Sequence, residues 1–312
     1  MIVSAPILVS LLTLALLTTL TTSHFIHNFC ETTTKYHSKL ESSHDTNLNL
    51  LFSSLINNTP KTGFSTATEG EPPYQVYGLA LCRGDISDDN CTSCLDRASP
   101  ELQKLCPYPK GGMVWYNQCA VRYSIRNFFS QLPAYNAPNE FSILKKLLGL
   151  IFPLYSNKNY CNCHGPSGEY FGHCTQVGAS NPGQFTKNLN SMFESISKIA
   201  AFNESARMFA TGVNAQTYGL VQCTRDLSEQ QCYKCLNQSF SIHSDGSCGM
   251  DGVTVTWNCI FIYGRNKFFN SDPTWVAPPD HYRLTTGRSN FSLRGQYEYT
   301  TFQGAHLINL LV

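Results

Sequence analysis

Charge is scarce in this chain. Asp, Glu, Lys and Arg make up 14% of its 312 residues, against roughly 25% in an ordinary globular domain. The 22 Lys and Arg nearly cancel the 21 Asp and Glu, leaving a net charge of +1 with no basic run. Nucleic-acid binding and polybasic attachment to anionic lipid both need clustered positive charge, so both are disfavoured. Apolar residues, at 42%, are not depleted, which argues against a mostly disordered chain. Catalytic signatures are missing as well. The nine His form no H-E-x-x-H pair, and there is neither a G-x-S-x-G elbow nor a phosphate-cradling Gly loop. Membrane-length runs are absent after the N-terminus. Phe141 to Tyr155 is broken by Lys145, Lys146 and Pro153, and His306 to Val312 is too short.

What is present begins with a leader. Ile7 to Leu20 is uncharged and dominated by Leu, Val, Ala and Thr. That is the size of a signal-peptide core and is shorter than a membrane anchor. Thr21 and Ser23 suit positions −3 and −1 of a cleavage site after Ser23, although no positive residues precede the core. Residues 1–23 are therefore expected to be a signal peptide, and the mature chain to be secreted with no membrane span. Five Asn-x-Ser/Thr sequons, at Asn57, Asn90, Asn203, Asn237 and Asn290, are candidate glycosylation sites in that pathway.

Cysteine is abundant, with 14 residues, and it is arranged as a tandem repeat. Cys82, Cys91 and Cys94 spell C-x8-C-x2-C, and Cys223, Cys232 and Cys235 repeat it 141 residues later. The same offset carries Tyr77-Gly78-Leu79 onto Tyr218-Gly219-Leu220 and Asp85 onto Asp226. Cys106 answers Cys248, Cys119 answers Cys259, and Phe128-Phe129 answers Phe268-Phe269, with single-residue changes of spacing. Cys30 and Cys174 stand upstream, giving each copy six cysteines. Internal duplication explains this register. The expected domains are 24–130 and 174–270, separated by an atypical linker at 131–173 that carries Cys161 and Cys163, and followed by a tail at 271–312.

Each copy reads as α+β. Leu48, Leu51, Phe52, Leu55 and Ile56 form one apolar helical stripe, with Asp45 or Thr46 as N-cap. Phe185, Leu189, Met192, Phe193, Ile196 and Ile199 repeat it after the Asn181-Pro182 turn. A second helix in each copy starts at Ser87 or Ser228, and Ser228 with Gln231 makes a capping box. Cys91 and Cys94, like Cys232 and Cys235, share a face of that helix. Ser99-Pro100 suits the start of a further helical turn. Tyr74 to Leu81, Gly112 to Tyr123 and Val253 to Tyr263 are strand-like. A small antiparallel sheet covered by two helices follows.

The segments YGLALCRGDISDDNCTSCLDRA, CPYPKGGMVWYNQCAVRYSIRNFF and YGLVQCTRDLSEQQCYKCL resemble the plant cysteine-rich repeat domain, also called the ginkbilobin-type or salt-stress-response/antifungal domain. Two such domains after a leader resemble cysteine-rich repeat secretory proteins, and equally the ectodomains of cysteine-rich receptor-like kinases. The resemblance implies two tandem domains, each with two helices on a sheet of about five strands and about three disulfides. It implies the pairs Cys30–Cys106, Cys82–Cys91 and Cys94–Cys119, then Cys174–Cys248, Cys223–Cys232 and Cys235–Cys259. Cysteine counting alone leaves on the order of 15 pairings per copy. Cys161 and Cys163 fall outside the pattern and are left open: they pair together, link two chains, or compete with Cys174 for Cys248.

Zinc binding or a redox dithiol by the C-x2-C pairs is the alternative chemistry. In a secreted chain with six cysteines per copy, structural disulfides are the stronger reading. Asp85 and Asp226 read as loop or turn residues. Some family members bind mannose through an Asn, an Arg and a Glu. The corresponding positions here are Glu31, Met113 and Ser124 in the first copy, and Thr175, Val253 and Gly264 in the second. Met and Val lack the donors of Arg, so no sugar site is expected. Trp115, Tyr116, Tyr123, Trp257 and Tyr263 are a candidate recognition surface, or core by their strand alternation. The expectation is a secreted, non-enzymatic plant recognition module in the cell wall space, with neither cofactor nor metal and with an unknown extracellular protein or glycan as ligand. The alternatives are an antifungal lectin, a truncated receptor ectodomain and a thiol-based redox sensor.

Overall fold

A computed structural model of the chain describes residues 23–31, 41–106, 110–132, 160–164, 170–175, 178–241 and 249–278. The leader before Ser23, most of 131–173, Cys248, and the tail from 279 with Asn290 lie outside these residues.

The first repeat runs β1 (Phe25–Cys30), α1 (Glu41–Asn58), β2 (Phe64–Glu69), β3 (Val76–Cys82), α2 (Asp88–Leu105), β4 (Gly111–Tyr116) and β5 (Cys119–Ser124). Its strands form one antiparallel sheet in the order β1-β4-β5-β3-β2. The second repeat runs β6 (Tyr160–His164), β7 (Tyr170–Thr175), α3 (Pro182–Phe202), β8 (Phe209–Asn214), β9 (Thr217–Cys223), α4 (Glu229–Ser241), β10 (Gly252–Thr256), β11 (Cys259–Gly264) and β12 (Trp275–Val276). Five of these strands repeat the first sheet. The linker adds β6 at one edge, antiparallel to β7, and the tail adds β12 at the other, parallel to β8, making seven strands.

Local signals account for most of the helices. On α1, Leu48, Leu51, Phe52 and Leu55 are buried against the sheet, each contributing about 2 kcal/mol. The helix starts at Glu41, a turn before the expected caps Asp45 and Thr46. Those first residues bring no apolar side chain, so the periodic pattern did not mark them. Ser87 caps α2 by accepting from Asn90 N, and Asp88 and Asp89 favour its positive N-terminal end. Instead of a new turn beginning at Ser99-Pro100, α2 passes through Pro100 as one helix. The buried stripe Cys91, Cys94, Leu95, Ala98 and Leu102 stays in phase across it, and this burial offsets the one hydrogen bond that proline removes. Both halves of the Ser228–Gln231 capping box form on α4.

The recurrent Tyr-Gly-Leu has a packing reason. A Cβ on Gly78 would sit 2.7 Å from Leu51 Cδ2, and one on Gly219 would sit 2.5 Å from Met192 Cε. Only glycine lets α1 and α3 approach β3 and β9 this closely.

Strand residues alternate between two cores. Val114, Tyr116, Val121 and Tyr123 face α1 and α2, and Val221, Cys259, Phe261 and Tyr263 face α3 and α4. Their neighbours Met113, Trp115, Ala120, Leu220, Val255 and Ile260 form a third core shared by the two repeats. The sheets therefore pack face to face with helices outside. Both faces are buried, which explains strands that read as nearly unbroken apolar runs. The segments Gly112 to Tyr123 and Val253 to Tyr263 are two hairpins, β4–β5 and β10–β11. Both repeats belong to one compact unit that ends at Ala277.

Candidate functional site

The cysteines tie each second helix to its sheet. Cys30 is bonded to Cys106, Cys82 to Cys91, Cys94 to Cys119, Cys223 to Cys232 and Cys235 to Cys259. Within each C-x2-C, the first cysteine reaches back to a strand end and the second reaches forward to a hairpin. The pair is thus divided between two bridges, and it forms neither a dithiol nor a metal clip. Cys174 is buried on β7 with Cys161 opposite it in the β6–β7 register. Its expected partner Cys248 lies outside the described residues. Among the described residues no group of three His, Cys, Asp or Glu is placed to hold a metal ion. Within the same residues no helix is long and apolar enough to cross a membrane.

Ser23, expected as the last leader residue, is built into the first repeat. It is buried, its Oγ lies 2.9 Å from Cys94 Sγ, and its carbonyl accepts from Arg97 Nη1 at 3.0 Å.

The seam between the repeats combines an apolar core with polar contacts, some of them buried. Trp115 Nε1 donates to Thr256 O at 2.7 Å, and Gln222 Nε2 donates to Cys82 O at 2.9 Å. The Arg122 guanidinium lies 3.9 Å from the Phe128 ring centroid and 4.9 Å from that of Trp257 in the other repeat. Arg225 Nη1 donates to Thr62 O at 2.6 Å. Burial, with the neighbouring charge of Arg207, pulls the pKa of Arg225 below its ordinary range. Asp85 and Asp226 each accept from the other repeat, a role that sequence reasoning missed because the partners lie 185 and 96 residues away.

The candidate aromatics are mostly core. Trp115, Tyr116, Tyr123 and Tyr263 are buried, and Trp257 is half-buried against Phe29. Tyr116 donates to Glu101 beneath α2, and burial followed by this bond pushes its pKa up to about 12. Burial likewise raises that of Tyr123, with the Glu31 and Asp45 carboxylates adding to it.

The residues at the positions equivalent to a sugar site are engaged within the fold. Met113 is wholly buried between the sheets, and Glu31 is engaged by Ser124, whose Oγ donates to it at 2.9 Å. In the second repeat Val253 packs at the shared core, and Thr175 Oγ1 is directed to Asp251. Among the described residues, a concavity open to solvent lies on the outer face of the second repeat. It is a groove of about 450 Å³ between the end of α3 and α4, walled by Phe202, Tyr233 and Asn237. The sequon residues Asn57, Asn203 and Asn237 are exposed, and Asn90 is half-buried.

The sequence model of the salt stress response/antifungal family matches residues 29–126 and 173–266. The chain belongs to that family. It is 36% identical to cysteine-rich repeat secretory protein 38 of Arabidopsis thaliana over 228 residues, covering 72% of this chain and 77% of the relative. It is 32% identical to the antimicrobial ginkbilobin-2-like protein of Castanea crenata over 221 residues, covering 69% and 76%. Among solved structures, it matches the tandem DUF26 ectodomain of the Arabidopsis thaliana cysteine-rich receptor-like protein PDLP8 with a TM-score of 0.59 at 17% identity. That match covers 79% of this chain and all of the ectodomain, and at this identity the likeness is one of fold.

Proposed function

We propose that this chain is a secreted, non-enzymatic recognition protein of the plant apoplast, acting in defence or stress signalling. The observation that carries this reading is the seam. Each repeat buries the inner face of its sheet on the other, so the pair is one body, each half stapled by its own disulfides, whose outer helices are left for a partner. The names of the relatives, a secretory protein and an antimicrobial protein, support an extracellular role. The proposed boundaries are a leader ending before Ser23, repeats at 23–130 and 174–270, and β6 and β12 as additions from the linker and tail.

The test is expression in leaf cells with the native leader, followed by recovery of apoplastic fluid and capture of cell-wall and plasma-membrane proteins by the purified chain. The expected result is a processed, oxidised protein in that fluid that captures a discrete partner. Recovery from the cytosol with free thiols overturns the proposal. A glycan array separates the lectin alternative: the burial of Met113 and the Ser124–Glu31 bond favour a blank array. The ectodomain alternative draws on the fold likeness to a receptor-like protein, and transcripts encoding a membrane span after residue 312 would establish it.

A further inference from the structure

The groove on the second repeat contains a glycosylation sequon. Asn237-Gln238-Ser239 lies on α4, and Asn237, exposed, forms part of the groove wall beside Tyr233 one helical turn earlier. Phe202 closes the other side. It is 44% exposed at the end of α3, and its ring centroid lies 5.3 Å from that of Tyr233. Two aromatic rings thus flank an asparagine in a sequon.

We infer that Asn237 carries an N-linked glycan whose first N-acetylglucosamine lies in this groove, its ring on Phe202 and Tyr233. A sugar ring offers C–H groups to aromatic faces, which is the chemistry the groove presents. Tethering to Asn237 makes the contact intramolecular, so a weak contact suffices to keep it occupied. The exposed Phe202 ring beside half-buried Tyr233 is thereby covered. In the transfer, the Asn237 side-chain nitrogen bonds to the anomeric carbon of a lipid-diphosphate-linked oligosaccharide. The anomeric C–O bond breaks, the lipid diphosphate leaves with the electron pair, and the amide nitrogen gives up one proton.

The fold also sets when this happens. The sequon hydroxyl of Ser239 is 1% exposed, donates to Cys235 O at 2.9 Å and lies 3.2 Å from Cys259 Sγ. Once Cys235–Cys259 closes, that hydroxyl is out of reach, so glycosylation at Asn237 precedes closure of the bridge. Asn203-Glu204-Ser205, exposed throughout, has no such order and serves as an internal control.

The inference rests on the secretory reading above, and the experiment separates the two. Full-length protein is secreted from plant cells and its glycopeptides mapped, with melting temperatures compared for wild type, Asn237→Gln, Phe202→Ala and the Phe202→Ala/Asn237→Gln pair; Asn203, whose Oδ1 caps the turn at Ser205, serves as an occupancy control only. Expected are a glycan at Asn237, a fall of about 3 °C on Asn237→Gln, and loss of the Asn237→Gln effect in the Phe202→Ala background. A glycan at Asn203 with Asn237 bare overturns this inference alone. So does an Asn237→Gln effect that is absent or unchanged by Phe202→Ala. Absence of glycan from every sequon of the secreted protein also overturns this inference alone, whereas retention of the chain in the cytosol overturns it together with the secretory reading.

Discussion

Asp85 in the first repeat accepts the backbone N–H of Asn270 in the second at 2.5 Å. The relation is returned: Asp226 accepts the backbone N–H of Ser130 at 2.9 Å, and Ser130 Oγ donates to Asp226 O at 2.7 Å. A residue that recurs in the duplicated sequence thus clasps the other copy from each side. The two clasps differ in charge. Asp85 is also held by Arg83, through Nε at 2.5 Å and Nη2 at 3.1 Å, with its side chain fully buried, whereas Thr224 stands where Arg83 does.

That asymmetry predicts unequal costs. Asp85→Asn leaves Arg83 enclosed without its counter-charge and should cost about 3 kcal/mol. Asp226→Asn only weakens an acceptor and should cost about 1 kcal/mol. Urea unfolding of the two variants measures the difference, and equal costs would show that the ion pair adds nothing.

Met113→Arg places at the equivalent position the side chain used by sugar-binding members of the family. It should create no mannose affinity and should cost about 3 kcal/mol, because the guanidinium enters a dry core between two sheets. Calorimetric titration with mannose alongside thermal melting tests both halves. A bound sugar would mean that the sheets part.

Cys174 stands opposite Gly252, as Cys30 stands opposite Gly112 in the first repeat. Since Cys30 is bonded to Cys106, we expect Cys174 to be linked to Cys248. Peptide mapping without reduction should recover that pair. A Cys161–Cys174 peptide would instead mean that strand β6, which sets those two opposite each other, has captured the bridge.

The raised pKa of Tyr116 fixes the sign of an alkaline effect. Its neutral form is favoured in the fold, so its contribution is complete below pH 10, the value of an unburied tyrosine, and is lost as pH rises toward about 12. Tyr116→Phe should flatten that part of the stability curve. An unchanged slope between pH 10 and 12 would assign the alkaline loss to other groups.

Ser23 is embedded beside Cys94 and Arg97. The mature protein should therefore begin at or before Ser23, and the leader should end upstream of it. N-terminal sequencing of secreted protein decides this. A chain beginning at His24 would show that the fold dispenses with the contact.

Helix stripes, caps and the doubled cysteine spacing could be read before any coordinates, because each depends on residues within a few positions of one another. The capping box at Ser228 and Gln231 is such a case. Strands β2 and β8 were not legible. Phe64–Glu69 and Phe209–Asn214 mix polar and small residues with few apolar ones, and they are recruited by pairing with β3 and β9. The groove was equally hidden, since Phe202 and Tyr233 are neighbours only after α3 and α4 pack.

By itself, the order of residues determined two copies of one oxidised α+β unit. Covalent spacing and short-range periodicity are local properties, and duplication displays them twice. Which faces those copies use on each other was decided by tertiary structure alone. Met113, Trp115, Leu220 and Ile260 carry the same apolar character as residues beneath the helices. Only assembly of both sheets shows that the inner face is occupied and that the helices lie outside.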